Sequence, residues 1–181
     1  MGKNNIMVDL ETMGNRGNAA IVSIGAVRFD STGLHEEFYK VVDLESSVVA
    51  GMDIDVCTVQ WWLSQGPETQ KIFSKSTPKT SLKTALVAFQ LFIGKGAEVW
   101  GNGADFDNVI LKSAYDAVEL PLPWQYWNNR CYRTFKGMYK QVKLDRTGTH
   151  HNALDDAKTQ AEHLIRIFAY LEKDAKQFVA Q

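Results

Sequence analysis

Apolar and polar positions follow different periods along the chain, and each change of period marks an element. Near the N-terminus Ile6, Met7 and Val8 run together, and "IMVDL" predicts a short buried strand. Two stretches rich in β-formers follow, Ala19 to Asp30 and Leu34 to Asp43, separated by the turn residues of "DSTG", which predicts a hairpin. From Asp43 to Thr58 no period holds, and a long loop is expected. "TVQWWLSQG" predicts a short helix ending at Gly66, with Pro67 opening another. Leu82, Ala85, Leu86, Phe89 and Ile93 then lie on one helical face, with Thr80 or Ser81 as cap and Gly94 as terminator. "AEVWG" predicts a short strand. Phe106, Val109, Ile110, Ala114 and Ala117 give another helical face, stopped by Pro121 and Pro123. After an irregular segment, Ala157, Ala161, Leu164, Ile165, Phe168 and Leu171 form a stripe over four turns.

This order predicts an α/β sheet covered by helices, in a single domain spanning residues 1–181. No internal repeat or low-complexity linker interrupts it. Hydrophobic residues make up 45% and charged residues 23%, so the chain is an ordinary globular one. Its net charge of −1 means that a polyanionic partner must be met by a local patch. Cys57 and Cys131 form no CxxC pair, which argues against a zinc site or a disulfide framework and for a reducing cytoplasm. The N-terminus lacks the apolar core of a signal peptide, and no run approaches the length of a membrane span. Ile6 stands where a myristoylation signal starting at Gly2 would need Ser or Thr.

Three acidic clusters change the picture. Asp9 and Glu11 are two apart on a strand, so both leave the same face. A solvated strand face would explain them, but their neighbours Ile6, Met7, Val8 and Leu10 read as buried, where acids need a partner or a metal. In "WGNGADFDNVIL", Asp105 and Asp107 fall where a helix starts, and the helix dipole accounts readily for one of them. In "HHNALDDA", His151 precedes Asp156 by five residues, with Asn152 as helix cap and Asp155 and Asp156 in the first turn. Helix-end charge explains either acid singly. Together the carboxylates suit hard cations, Mg²⁺ or Mn²⁺, and two of these about 4 Å apart clamp a phosphodiester. A histidine of ordinary pKa, about 6.5, can take the proton of an attacking water.

"DLE" at Asp9–Glu11, "NGADFD" at Asn102–Asp107 and "HNALDD" at His151–Asp156 resemble, in order, the three motifs of the DEDDh (DnaQ-like) 3′→5′ exonucleases. The resemblance spans nearly the whole chain. It implies an RNase H-like fold with a mixed, roughly five-stranded sheet. It implies two divalent cations, Mg²⁺ or Mn²⁺, on Asp9, Glu11, Asp107 and Asp156, with His151 as general base. Within the family, "DLETMG" and "TVQWWL" look most like the phage-type proteins related to exodeoxyribonuclease VIII and the RNase AS-like exoribonucleases. Three residues separate Asn102 from Phe106 where relatives often have two, so Asp105 competes with Asp107; the Phe-Asp order favours Asp107. His150 shadows His151, but only His151 has the four-residue spacing to Asp156. Asn15 stands where many relatives carry an apolar wedge after the first motif, and Met13 is the alternative.

The implied partner is a nucleic acid with a free 3′ end, single-stranded DNA or RNA or a 3′ overhang, cut to nucleoside 5′-monophosphates; a homodimer follows from the same resemblance. Thr12, Met13, Trp61, Trp62, Asn102 and Phe106 are candidate substrate contacts. Trp61 and Trp62, adjacent on a helix, point roughly 100° apart, so one belongs to the core and the other to a groove. Arg130, Arg133, Lys136, Lys140, Lys143 and Arg146 are interleaved with or preceded by Trp124, Tyr126, Trp127, Tyr132, Phe135 and Tyr139, a pattern that suits phosphates and stacked bases. A solvated face with its aromatics in the core is the better explanation for most of them. A catalytically idle binding module on the same fold is the alternative function.

Overall fold

The computed structural model describes residues 4–146, 148 and 151–179; Gly2 and His150, weighed above, lie outside them. Strands β1 (Asn5–Thr12), β2 (Ile21–Asp30) and β3 (Gly33–Val41) form an antiparallel meander. Helices α1 (Leu44–Val49), α2 (Val56–Ser64), α3 (Pro67–Gln70) and α4 (Leu82–Ile93) follow. Then come β4 (Glu98–Gly101), α5 (Asp107–Ala117), β5 (Asn129–Cys131), α6 (Tyr132–Met138) and α7 (Ala153–Val179). β4 pairs parallel with β1, and β5 parallel with β4, giving the order β3-β2-β1-β4-β5. The sheet is therefore mixed and five-stranded, as the resemblance implied. Among the described residues no helix is long and apolar enough to cross a membrane.

Alternation on β1 and β2 sends side chains to two separate cores. Ile6, Val8 and Leu10 join Val22, Ile24 and Ala26 in a layer with Leu86, Phe89 and Ile93 of α4 and Ile110 and Leu111 of α5. Met7, Val27 and Phe29 join Trp100, Tyr132 and, from α7, Ala157, Ala161 and Leu164 in the other. On this second face β1 runs Met7, Asp9, Glu11, so it passes from apolar to acidic toward its carboxyl end. Its partner β2 runs Val27, Gly25, Ser23 opposite them. A Cβ on Gly25 would overlap the backbone of Ala153 and Leu154. The glycine thus lets the first turn of α7 lie directly on the sheet beside Asp9.

Four expectations need correction. Asp43 to Thr58 is no loop: it holds α1 and the start of α2. The one buried side chain of α1 is Ser47, whose hydroxyl donates to the Ile21 carbonyl, so no apolar stripe announces the helix. The segment taken as irregular contains β5 and α6. β5 has three residues, and its pairing with β4 rather than any local pattern makes it a strand. On α5 the buried face holds Ile110, Leu111, Ala114 and Tyr115, while Val109 and Ala117 are exposed and Phe106 is the N-cap residue. On α7, Ile165 and Phe168 only flank the core, and Ile167 and His163 are buried instead.

Candidate active site

β4 stops beside the middle of β1, and the chain turns through residues 102–106 into α5. That turn delivers Asp107 to β1. Its Oδ1 accepts the Leu10 N–H (3.2 Å) and its Oδ2 accepts the Asn102 N–H (2.8 Å), and only 1% of the residue is exposed. Gly101 permits the approach, since a Cβ there would stand 3.0 Å from Asp107 Oδ2. Asp105 is exposed two residues earlier. The structure thus brings Asp107, not Asp105, to the β1 carboxylates.

The start of α7 supplies the rest. Asn152 caps it, its Oδ1 accepting the N–H groups of Leu154 (3.1 Å) and Asp155 (3.2 Å). Just before the cap, His151 adopts a left-handed backbone with φ of 59°. One ligand atom from each of Glu11, His151 and Asp156 lies within 4.8 Å of the others. The edge of Trp61 meets the His151 ring at 4.8 Å between centroids. Asp9 and Asp107 are not members of this trio; the Asp9 Oδ1 accepts Gln160 Nε2–H at 2.7 Å.

Electrostatics shows how closely the acids converge. Burial raises Asp9 well above its usual range, and repulsion from Asp107, Glu11 and Asp156 raises it further, against the Gln160 hydrogen bond. Burial, then Asp156 and Asp107, push Glu11 up to about 8. Burial lifts Asp107 to about 6, held there by its backbone donors and by Arg133. So many mutually repelling carboxylates at the end of a packed sheet form a donor set for a hard divalent cation. A permanent cation already touches it: Arg146 Nη1 lies 2.6 Å from Asp156 Oδ1. Its loop is tied to α7, because His163 Nε2 bonds the Val142 carbonyl (2.7 Å) and Tyr132 Oη bonds His163 Nδ1 (2.7 Å).

The remaining candidates divide. Trp61 is 39% exposed beside His151. Trp62 is buried, and its Nε1–H donates to the Thr12 carbonyl (3.0 Å), so it supports the strand end from behind. Thr12 is buried too, its hydroxyl donating to the Gly14 carbonyl (2.6 Å). Met13, Val59, Trp62, Leu63, Gln70 and Phe73 line an apolar cavity of about 220 Å³. Phe106 packs against the first core, and Asn102 offers its backbone N–H to Asp107. Of the basic and aromatic stretch, Trp124 and Tyr132 are core residues, Phe135 packs on the second core and Arg130 pairs with Glu98; Tyr126, Trp127 and Arg133 face solvent. Sequence reasoning missed Gln160 and Gly25. Gln160 sits four residues after Asp156, and that spacing alone could have placed it on the same helix row.

Fold and site define a class, the RNase H-like exonucleases with four acidic residues and a histidine. The nuclease domain of 3′hExo, a DEDDh family member solved with rAMP, matches with a TM-score of 0.58 and 14% identity over 91% of each chain. S. pombe Pop2p, solved with Mg²⁺ and Mn²⁺ bound, matches with a TM-score of 0.60 and 13% identity over 91% of this chain and 82% of that one. In sequence, the exodeoxyribonuclease of Enterobacteria phage T4 is 25% identical over 157 residues, covering 71% of this chain and 68% of the relative. The model of the Rv2179c-like 3′-5′ exoribonuclease domain matches residues 4–168, and the chain belongs to that family. It is a 3′–5′ exonuclease, a hydrolase of phosphodiester bonds.

Proposed function

We propose that the chain removes nucleoside 5′-monophosphates from the free 3′ end of single-stranded nucleic acid, RNA foremost, by a two-metal-ion mechanism. The convergence of Glu11, His151 and Asp156, with Asp9 and Asp107 near enough to repel them, carries this reading. These four carboxylates would hold Mg²⁺ or Mn²⁺, whose positive charge would offset the negative charge developing on the phosphate in the transition state. His151, held edge-on by Trp61, accepts the proton of the attacking water. Arg133, exposed next to Gly103 and near enough to Asp107 to lower its pKa, meets the phosphate backbone. The apolar cavity at Met13 takes the terminal base, with Met13 in the role of wedge.

The family description favours RNA; the likeness to the phage T4 exodeoxyribonuclease favours DNA as the second reading. The two unpaired cysteines, Cys57 and Cys131, suit a reducing cytoplasm, and the homodimer implied by the resemblance completes the reading. Matched 3′-labelled single-stranded RNA, single-stranded DNA and 3′-overhang DNA, each with Mg²⁺, Mn²⁺ or EDTA, test it. Label should leave the RNA fastest, and only with a divalent ion. Asp156→Asn should slow it about a thousandfold, the several kcal/mol that cation-held charge supplies. EDTA-resistant cleavage, or an Asp156→Asn protein of full activity, would overturn the mechanism.

A further inference from the structure

Gln160 is a buried polar residue of α7 with no part in the two-metal chemistry. It lies one turn after Asp156, is only 7% exposed, and reaches β1 across 151 residues of sequence. Its Nε2–H donates to Asp9 Oδ1 at 2.7 Å. The nitrogen end of the amide faces Asp9, whose oxygen accepts from it. The other end is then Oε1, buried, with no hydrogen-bond partner among the described residues. Burying an acceptor without a donor is costly, and such an atom calls for a partner, a water or an ion among the candidates.

The surroundings explain why the residue is a glutamine. A glutamate would add another negative charge to carboxylates that already repel one another. A leucine would leave Asp9 Oδ1 without its donor. If the residue only tied α7 to the sheet, the apolar contacts of Ala157, Ala161 and Leu164 would suffice, and no unpaired carbonyl would be needed. The amide is neutral and offers a donor to the anion and an acceptor to whatever arrives with the cation.

We propose that Gln160 is a positioning residue of the cation site: it orients the Asp9 carboxylate through Oδ1 and keeps its own buried carbonyl for the hydrated cation. The inference rests on the metal-dependent reading above. Partners of this kind that hold a metal-binding carboxylate change metal affinity 10- to 100-fold when removed, by general experience.

The test needs no substrate. Mn²⁺ binding to the full chain is measured by isothermal titration for the wild type and Gln160→Met, beside thermal melts without metal. Gln160→Met should bind Mn²⁺ at least about tenfold more weakly. Its metal-free melting temperature should stay close to that of the wild type, because the unpaired buried carbonyl is lost together with the hydrogen bond to Asp9. Unchanged Mn²⁺ affinity, or a loss accompanied by an equal loss of metal-free stability, overturns the role. A wild type that binds no Mn²⁺ overturns the metal-dependent reading itself, a separate failure. A second measurement needs no variant: the side-chain amide signal of Gln160 in the wild type should shift during Mg²⁺ titration with the midpoint of binding. An unmoved signal counts against the proposal as firmly as an unchanged affinity.

Discussion

At the scale of single residues, Asp156 shows how much of this site is electrostatic competition. Its Oδ1 is held by the guanidinium of Arg146. A divalent ion on the same carboxylate must displace that charge or tolerate it. The pair is partly exposed on the arginine side, so its worth is about 1 kcal/mol. Arg146→Ala should therefore tighten Mn²⁺ binding by about fivefold, the ratio equivalent to about 1 kcal/mol. Calorimetric titration of both proteins checks this, and an equal or weaker affinity in the variant would show that the arginine does not compete. The same residue reads in the sequence as one more member of a basic stretch, and nothing local marks it as the one that touches the cluster.

At the scale of elements, the seating of α7 on β2 matters most. Gly25 stands opposite Asp9, and the first turn of α7 rests on it. Gly25→Ala would place a methyl group inside the backbone of Ala153 and Leu154, which cannot yield as a flexible side chain would. Such overpacking costs about 3 kcal/mol, or roughly 6–12 °C of melting temperature in a chain of this size. Activity should fall further than stability, because His151 and Asp156 ride on the turn that is pushed away. Thermal melts and rates taken well below the variant's melting temperature separate the two effects. A Gly25→Ala protein with wild-type melting and wild-type rate would mean that the contact is not tight.

At the scale of the whole molecule, the crowded carboxylates make stability depend on pH and on metal. Glu11, lifted from 4.5 to about 8, keeps its proton in the folded metal-free protein where the unfolded chain has lost it. Its stabilisation is complete below about pH 4.5 and disappears as pH rises through about 8. Asp107, lifted from 3.8 to about 6, acts in the same direction over a lower range. The metal-free melting temperature should therefore fall from about pH 5 to about pH 9, and Glu11→Gln should flatten the decline. Mn²⁺ should raise melting more at about pH 8 than at about pH 5.5, since the ion replaces protons held by the same oxygens. Melting curves across that range decide the matter: a melting temperature that climbs with pH, or a pH-independent effect of Mn²⁺, contradicts this account.

The sequence by itself determined the elements whose signals are local and the chemistry of the site. α4 was legible from Leu82 to Ile93 because its stripe, its Ser81 cap and its Gly94 terminator all lie within one stretch of chain. Asp9 and Glu11 stood out as two acids on one strand face, and Asp107, His151 and Asp156 through the ordered motifs that resemble those of the DEDDh exonucleases. Tertiary structure alone decided that β5 is a strand and that Gly25, Arg146 and Gln160 lie against the acidic cluster. The physical reason is distance along the chain. Each of these depends on segments far apart in sequence meeting in space, and short-range periodicity carries no record of such meetings.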